Sequence, residues 1–246
     1  MDVVTTVSLS FAFLATAFLY ASVGHAGASG YLTAMALFSL SPVMMRPTAL
    51  ILNILVASIA AFKFCRAGAF SWQILLPFIL TSVPFAFIGG ALILPGNAYK
   101  ITLGIILLYA ASRMLMTANG SLPQTVRPLP IVLALISGAI IGLLSGLTGT
   151  GGGIFLTPLL LFSGWSQPRQ ASGVSAVFIL VNSVAGLLGQ SPNLASLSPA
   201  LPVWLAVVAV GGWVGAEFGS QHWNGTQLRR ALAFVMVIAA LKLIWT

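Results

Sequence analysis

Residues 145–158 read Ser-Gly-Leu-Thr-Gly-Thr-Gly-Gly-Gly-Ile-Phe-Leu-Thr-Pro, and no charged residue lies between Pro128 and Pro168. Such a run offers main-chain amides and the hydroxyls of Thr148 and Thr150 in otherwise apolar sequence. A helix beginning near Ile154 leaves its first amides without intrahelical partners, pointing back at Gly149, Gly151, Gly152 and Gly153. Its dipole adds about half a positive charge at that end, so the chemistry on offer is the holding of a small anion. A weaker echo, Val-Gly-His-Ala-Gly-Ala-Ser-Gly-Tyr-Leu-Thr, occupies residues 23–33 and supplies Gly24, His25, Gly27, Ser29 and Gly30.

His25 is the one histidine deep in apolar sequence, and ionisable groups at membrane depth are functional candidates. A neutral imidazole donates one hydrogen bond; a protonated one adds charge or carries a coupled proton. Glu217, one of only two acidic residues in the chain, is the other coupling candidate, and pairing with Arg229 or Arg230 is its structural alternative. Asn53 and Asn182 fall inside apolar segments, the second accompanied by Ser175 and Ser183. They read as substrate ligands or as interhelical hydrogen-bonding residues. Gly138, Gly142 and Gly146, spaced by four, form a small-residue face suited to helix packing.

The elements that must position these residues are membrane helices. The chain has 246 residues, 59% hydrophobic and 5% charged, with a mean hydropathy of +1.08. Soluble domains carry about 25% charged residues. Apolar runs are expected at 3–23, 28–41, 47–64, 71–94, 98–117, 129–148, 152–164, 170–189, 200–218 and 227–245. Eight are long enough to cross. The second and seventh reach only ~20 Å of a ~30 Å hydrocarbon core, as short or re-entrant segments after the glycine motifs. The fold class expected is therefore an all-α integral membrane protein of about eight transmembrane helices plus two short segments.

The halves resemble each other. Tyr31-Leu32-Thr33 matches Phe155-Leu156-Thr157, and Arg46-Pro47-Thr48-Ala49 matches Arg169-Gln170-Ala171-Ser172. An odd number of segments in each half makes the second an inverted copy, with repeats at 1–118 and 131–246 and a linker at 119–130. Loop charges set the orientation. Lys63, Arg66, Arg113, Arg127, Arg169, Arg229 and Arg230 fall on one side, against Arg46, Lys100 and Lys242, so the larger group and the linker face the cytoplasm. Trp204, Trp213, Trp223 and Trp245 read as interfacial anchors, Pro77 and Pro84 as kinks, and Cys65 as an incidental thiol. Residues 3–23 lack a basic flank and read as a first span rather than a signal peptide.

The ten basic residues, giving a net charge of +8, are scattered along membrane segments, so no nucleic-acid partner is expected. One cysteine and two histidines leave no metal cluster, and no cofactor or enzymatic activity is expected. An aspartyl intramembrane protease needs two membrane aspartates, whereas Asp2 is the only aspartate. A rhomboid-like hydrolase needs Gly-x-Ser-Gly, and Gly142 lies one position too early before Ser145. A cation pathway calls for more carboxylates or histidines than this chain has. An anion carrier remains, with a channel or permease for another small ion as its rival.

The run Gly142-Leu-Leu-Ser-Gly-Leu-Thr-Gly-Thr-Gly-Gly-Gly-Ile-Phe-Leu-Thr-Pro-Leu-Leu160, with Arg169-Gln-Ala-Ser-Gly-Val-Ser-Ala176, resembles the signature of the sulfite exporter TauE/SafE family. So does Tyr20-Ala-Ser-Val-Gly-His-Ala-Gly-Ala-Ser-Gly-Tyr31. The resemblance implies a multi-pass inner-membrane permease for small sulfur-containing anions such as sulfite, sulfoacetate or thiosulfate. Its partners would be that anion and the lipid bilayer, and a homo-oligomer is compatible with it. The first motif departs from the family pattern. Many members carry a triple glycine and a later proline there, and Ala34 stands at the proline position.

Overall fold

The computed structural model describes residues 3–93, 95–119, 126–190 and 197–221, with Val237 and Leu241 beside them. Among the described residues every regular element is helical: α1 (Val3–Ala21), α2 (Ala28–Leu37), α3 (Pro42–Arg66), α4 (Trp72–Ala91), α5 (Gly96–Asn119), α6 (Ile131–Thr148), α7 (Gly153–Phe162), α8 (Pro168–Gly189) and α9 (Leu201–Gln221). The segment expected at 227–245, with Arg229, Arg230 and Trp245, and also Trp223 and much of the linker, lies outside the described residues.

Six helices, α1, α3, α4, α6, α8 and α9, have the length and apolar character of a membrane crossing. The protein is a multi-pass membrane protein. α5 is long enough, at 24 residues, but Asn97, Lys100, Ser112 and Arg113 dilute its apolar character. Large apolar side chains face outward in rows, such as Val132, Ile136 and Ile140 on α6 and Leu76 and Leu80 on α4. In water such rows would drive aggregation; in a bilayer they meet lipid.

α2 and α7 are ten residues each, and both begin at glycine turns. The helices pack as reciprocal pairs. α4 lies along α6 and α8, while α9 lies along α1 and α3, and α3 crosses α8 between them. Without a hydrophobic driving force in lipid, close helix contact depends on small residues. Gly138, Gly142 and Gly146 of α6 provide it, facing the backbone of Phe78, Ser82 and Ala86 on α4. The same device recurs where Gly211, Gly215 and Gly219 of α9 meet the backbone of Leu14 and Phe18 on α1 and of Ser22 just past its end.

α3 starts at Pro42, five residues before the sequence-based boundary at Pro47. Either proline suits the first helical turn, where its missing N–H is no loss. Because the helix starts at the earlier one, Arg46 is inside it and buried, not in an external loop.

Candidate functional site

α6 ends at Gly149, whose N–H donates to the Ser145 carbonyl at 2.8 Å, and α7 starts after Gly152. Gly149, Gly151 and Gly152 have φ of +79°, +75° and +80°. At Gly151 the need for glycine is twofold. Its φ lies in the left-handed region, and a Cβ would run into Asn53 Nδ2 and come within 2.9 Å of Ser183 Oγ. A Cβ at Gly152 would meet Phe178 Cε1 at 2.9 Å and Ile141 Cγ2 at 3.0 Å. The space left by the missing side chains is taken up by α3, α6 and α8.

The first turn is built the same way. α2 starts after Gly27, at φ +102°, and Gly24 sits against Ser172 at the start of α8. Gly30 packs on Thr16 of α1. The Ser29 hydroxyl donates to Tyr20 Oη at 2.9 Å, and Tyr31 Oη donates to the Ala26 carbonyl at 2.8 Å.

His25 joins the two turns. Its Nε2 lies 3.2 Å from the Gly153 carbonyl and its Nδ1 lies 3.2 Å from the Val23 carbonyl. Carbonyls only accept, so the protonated ring makes both bonds and the neutral ring makes one. Tyr20 stands edge-on to the imidazole at 6.4 Å.

Around the second turn the polar groups interlock. Thr148 Oγ1 donates to the Leu144 carbonyl at 2.7 Å and lies 3.0 Å from Thr150 Oγ1. Asn53 Nδ2 donates to Ser183 Oγ at 3.3 Å, with the Thr150 carbonyl at 3.5 Å. Asn182 Nδ2 donates to the Phe178 carbonyl at 2.8 Å within its own helix, and Ser175 shares a 2.7 Å hydrogen bond with Thr157. Among the described residues Asn53 Oδ1, Asn182 Oδ1, Ser145 Oγ and Thr48 Oγ1 are buried without a hydrogen-bond partner. Unpaired buried polar atoms are uncommon in folded proteins, which marks these four positions out.

An apolar groove of about 550 Å³ runs between α5, α6 and α7, lined by residues such as Ile105, Tyr109, Ile140, Leu144 and Phe155. None of the candidate substrate-binding or coupling residues lines it.

With two glycine turns bridged by a histidine in a helical membrane bundle, comparison with known proteins becomes decisive. Residues 9–243 match the sulfite exporter TauE/SafE family. The chain belongs to that family. It is 41% identical over 242 residues to the probable membrane transporter protein y4hK of Sinorhizobium fredii, covering 97% of this chain and 98% of the relative. A probable membrane transporter protein of Xylella fastidiosa (strain Temecula1) is 29% identical over 115 residues, 46% of this chain and 44% of the relative. No solved structure matches the chain. This TauE/SafE protein is thus a membrane transporter, and its relatives' names describe transport rather than catalysis.

Two expectations change, those for Arg46 and Trp204. Arg46 of this TauE/SafE chain is 7% exposed, and its guanidinium is ringed by main-chain carbonyls at the ends of α4 and α6. A linear charge count cannot see this, although an arginine between two prolines, either able to start a helix, was the available signal. Glu217 pairs with Lys63, which also lies 3.9 Å over the Trp213 ring, while its expected partners Arg229 and Arg230 lie outside the described residues. The pair fastens α3 to α9 near their C-terminal ends. Trp204 is fully buried, edge-on to Phe13 at 5.2 Å, and belongs to the core rather than to an interface.

Proposed function

We propose that the protein is a secondary transporter moving small sulfur-containing oxyanions, such as sulfite, sulfoacetate or thiosulfate, across the cell inner membrane. The observation that carries this reading is the approach of the two helix-start turns through His25 and Gly153. Helix N-termini, hydroxyls and an imidazole meet there, and the ensemble lacks a carboxylate. Of the chain's two acidic residues, Glu217 is engaged with Lys63 and Asp2 lies at the far start of the chain. Such a set of donors suits an anion and suits a cation poorly.

The reciprocal packing of α4 on α6 and α9 on α1 supports an inverted repeat of residues 1–118 and 131–246 about the linker at 119–130. In such folds the substrate lies between the repeats and each half moves against the other. Gly24, Gly27, Gly30, Thr148, Thr150 and the glycines from Gly149 to Gly153 form the framework, with Asn53, Ser175 and Asn182 behind them. The small anion and the bilayer are the partners, with no nucleic acid, and a homo-oligomer fits the same architecture.

The test is uptake and efflux in proteoliposomes with sulfite, thiosulfate and sulfoacetate against ammonium and neutral sulfones. Transport should select the anions. Gly152→Val is a poor probe because its side chain collides with Phe178 and Ile141. Thr150→Val preserves shape and removes one hydroxyl, so anion flux should fall while the protein stays folded. Equal flux of anions and cations, or none of any panel member, would sink the reading.

A further inference from the structure

Arg46 carries its guanidinium into a buried position and, among the described residues, meets no carboxylate there. Its Nη1 donates to the Leu92 carbonyl at 3.2 Å, and its Nη2 faces the carbonyls of Gly89, Gly90 and Gly146 at 3.3, 3.2 and 2.9 Å. Among the described residues the Nε is buried without a partner. The Tyr99 ring lies 6.0 Å from the guanidinium carbon, and Tyr99 Oη donates to the Thr148 carbonyl at 3.1 Å. All four acceptors sit at the C-terminal ends of α4 and α6, where carbonyls lack intrahelical donors and the helix dipole is negative. They solvate the cation without neutralising it.

The arginine also abuts the second glycine turn. The position of a Cβ at Gly149 is 3.3 Å from the Arg46 carbonyl oxygen and 3.4 Å from its Cα. The main chain of Arg46 thus touches the turn already read as the anion framework, and its guanidinium, with Nε unpartnered among the described residues, reaches the Gly146 carbonyl three residues before Gly149. Guanidinium binds oxyanions by paired, charge-assisted hydrogen bonds, roughly twice as strong as those to a neutral carbonyl.

We propose that Arg46 binds the transported oxyanion, which replaces the carbonyls of Gly89, Gly90 and Leu92 on the guanidinium. The exchange unfastens the C-terminal end of α4 from Arg46 and so couples anion binding to opening at that end. This deepens the transport reading and rests on it. It differs from a purely structural role, in which the arginine pins two helix ends and is indifferent to anions.

The experiment uses the full chain in detergent, with sodium sulfite or thiosulfate titrated against sodium chloride at equal ionic strength. Thermal unfolding and hydrogen exchange of the α4 end are read together, beside proteoliposome flux. The wild type should gain a saturable, oxyanion-specific rise in melting temperature while exchange at residues 89–93 becomes faster. Arg46→Lys keeps the charge but not the fork, and should lose both responses; Arg46→Gln should lose flux as well. If the variants do not fold, the wild-type exchange decides, because unchanged or slower exchange at 89–93 overturns the proposal. Unaltered anion responses in a folded Arg46→Lys protein overturn it too, while leaving transport intact. Phosphatidylglycerol should not reproduce the effect; if it alone does so, the guanidinium holds a lipid phosphate and the proposal fails. A wild type that transports no anion removes the reading beneath it.

Discussion

The Nε2 of His25 and the carbonyl oxygen of Gly153 lie 3.2 Å apart across 128 positions of chain. One ring therefore ties the start of α7 to the turn that precedes α2, and its two bonds depend on its proton count. Because those bonds depend on the ring's proton, anion flux should vary with pH. His25→Gln retains a donor but cannot titrate, so it should flatten that profile more than it lowers maximal flux. His25→Ala should impair both and cost about 1 kcal/mol of stability from the lost hydrogen bonding. A glutamine variant with the wild-type profile would leave His25 a structural tie only. Flux against pH in proteoliposomes is the measurement.

Asn53 offers a charge test of the second turn. Its amide donates toward Thr150 and Ser183, and its Oδ1 is unpaired. Asn53→Asp is nearly isosteric and places a carboxylate beside the glycine turn when ionised. Oxyanion affinity should fall at least about tenfold for a loss of about 1.4 kcal/mol. Substrate titration of the initial rate reads it, and an unchanged KM would count against a site at this turn.

The helix ends read by sequence and by structure agree closely around the glycine turns, where the chemistry is local. Gly27 and Gly152 mark the starts of α2 and α7 because few other residues adopt their φ, and the short segments follow from residue counting. The spacing of Gly138, Gly142 and Gly146 revealed a packing face for the same reason. Gly211, Gly215 and Gly219 have identical spacing and form the matching contact. Arg46 and Trp204 were misplaced because their surroundings come from other helices. Four carbonyls from two distant segments surround the one, and Phe13 faces the other; no local pattern encodes either. The partners of Asn53 were hidden likewise, although its polarity inside an apolar helix marked it for attention.

Two glycine substitutions should separate crowding from strain. At Gly142 a methyl would overlap the Ser82 carbonyl, so Gly142→Ala should cost about 1–3 kcal/mol through overpacking of α4 on α6. Gly68 has open space around it but a φ of +71°, so Gly68→Ala should cost about 1–2 kcal/mol through backbone strain alone. Leucine at each site tells them apart. It should add a further large loss at position 142 and almost none at 68, as read by melting temperature in detergent.

Lys63 and Glu217 form a partly exposed pair, with side-chain exposures of 16% and 42%. Breaking it with Glu217→Gln should cost up to about 1 kcal/mol, the range of solvent-accessible pairs. If the carboxylate only fastens α3 to α9, the pH profile of flux should survive the change. A collapsed pH response would instead make Glu217 the coupling group. The charge-swapped double variant, Lys63→Glu with Glu217→Lys, should recover part of the lost stability.

The orientation expected from the loop charges would put the C-terminal end of α3 in the cytoplasm. Cys65 is exposed near that end, and Ile93, 90% exposed, lies beyond the C-terminal end of α4. An impermeant thiol reagent should reach Cys65 from the cytoplasmic face. In a Cys65→Ser background it should reach Ile93→Cys from the opposite face. Labelling of both from one side would contradict the assigned orientation.

The glycine contacts of α6 on α4 and of α9 on α1 bear on which parts of the molecule can slide. A seam in which main chain touches main chain has no side chains to re-seat in new rotamers, so it behaves as a weld. α3 meets α9 differently, with Val56 filling the position opposite Gly212, and Phe178 and Ile179 of α8 close on the second glycine turn. These side-chain contacts can exchange partners in small steps and act as bearings. α8 belongs to the first weld, with Gly90 against the Gly186 carbonyl and Gly189 against the Phe87 carbonyl, so the apolar side chains between α3 and α9 are the contacts free to exchange.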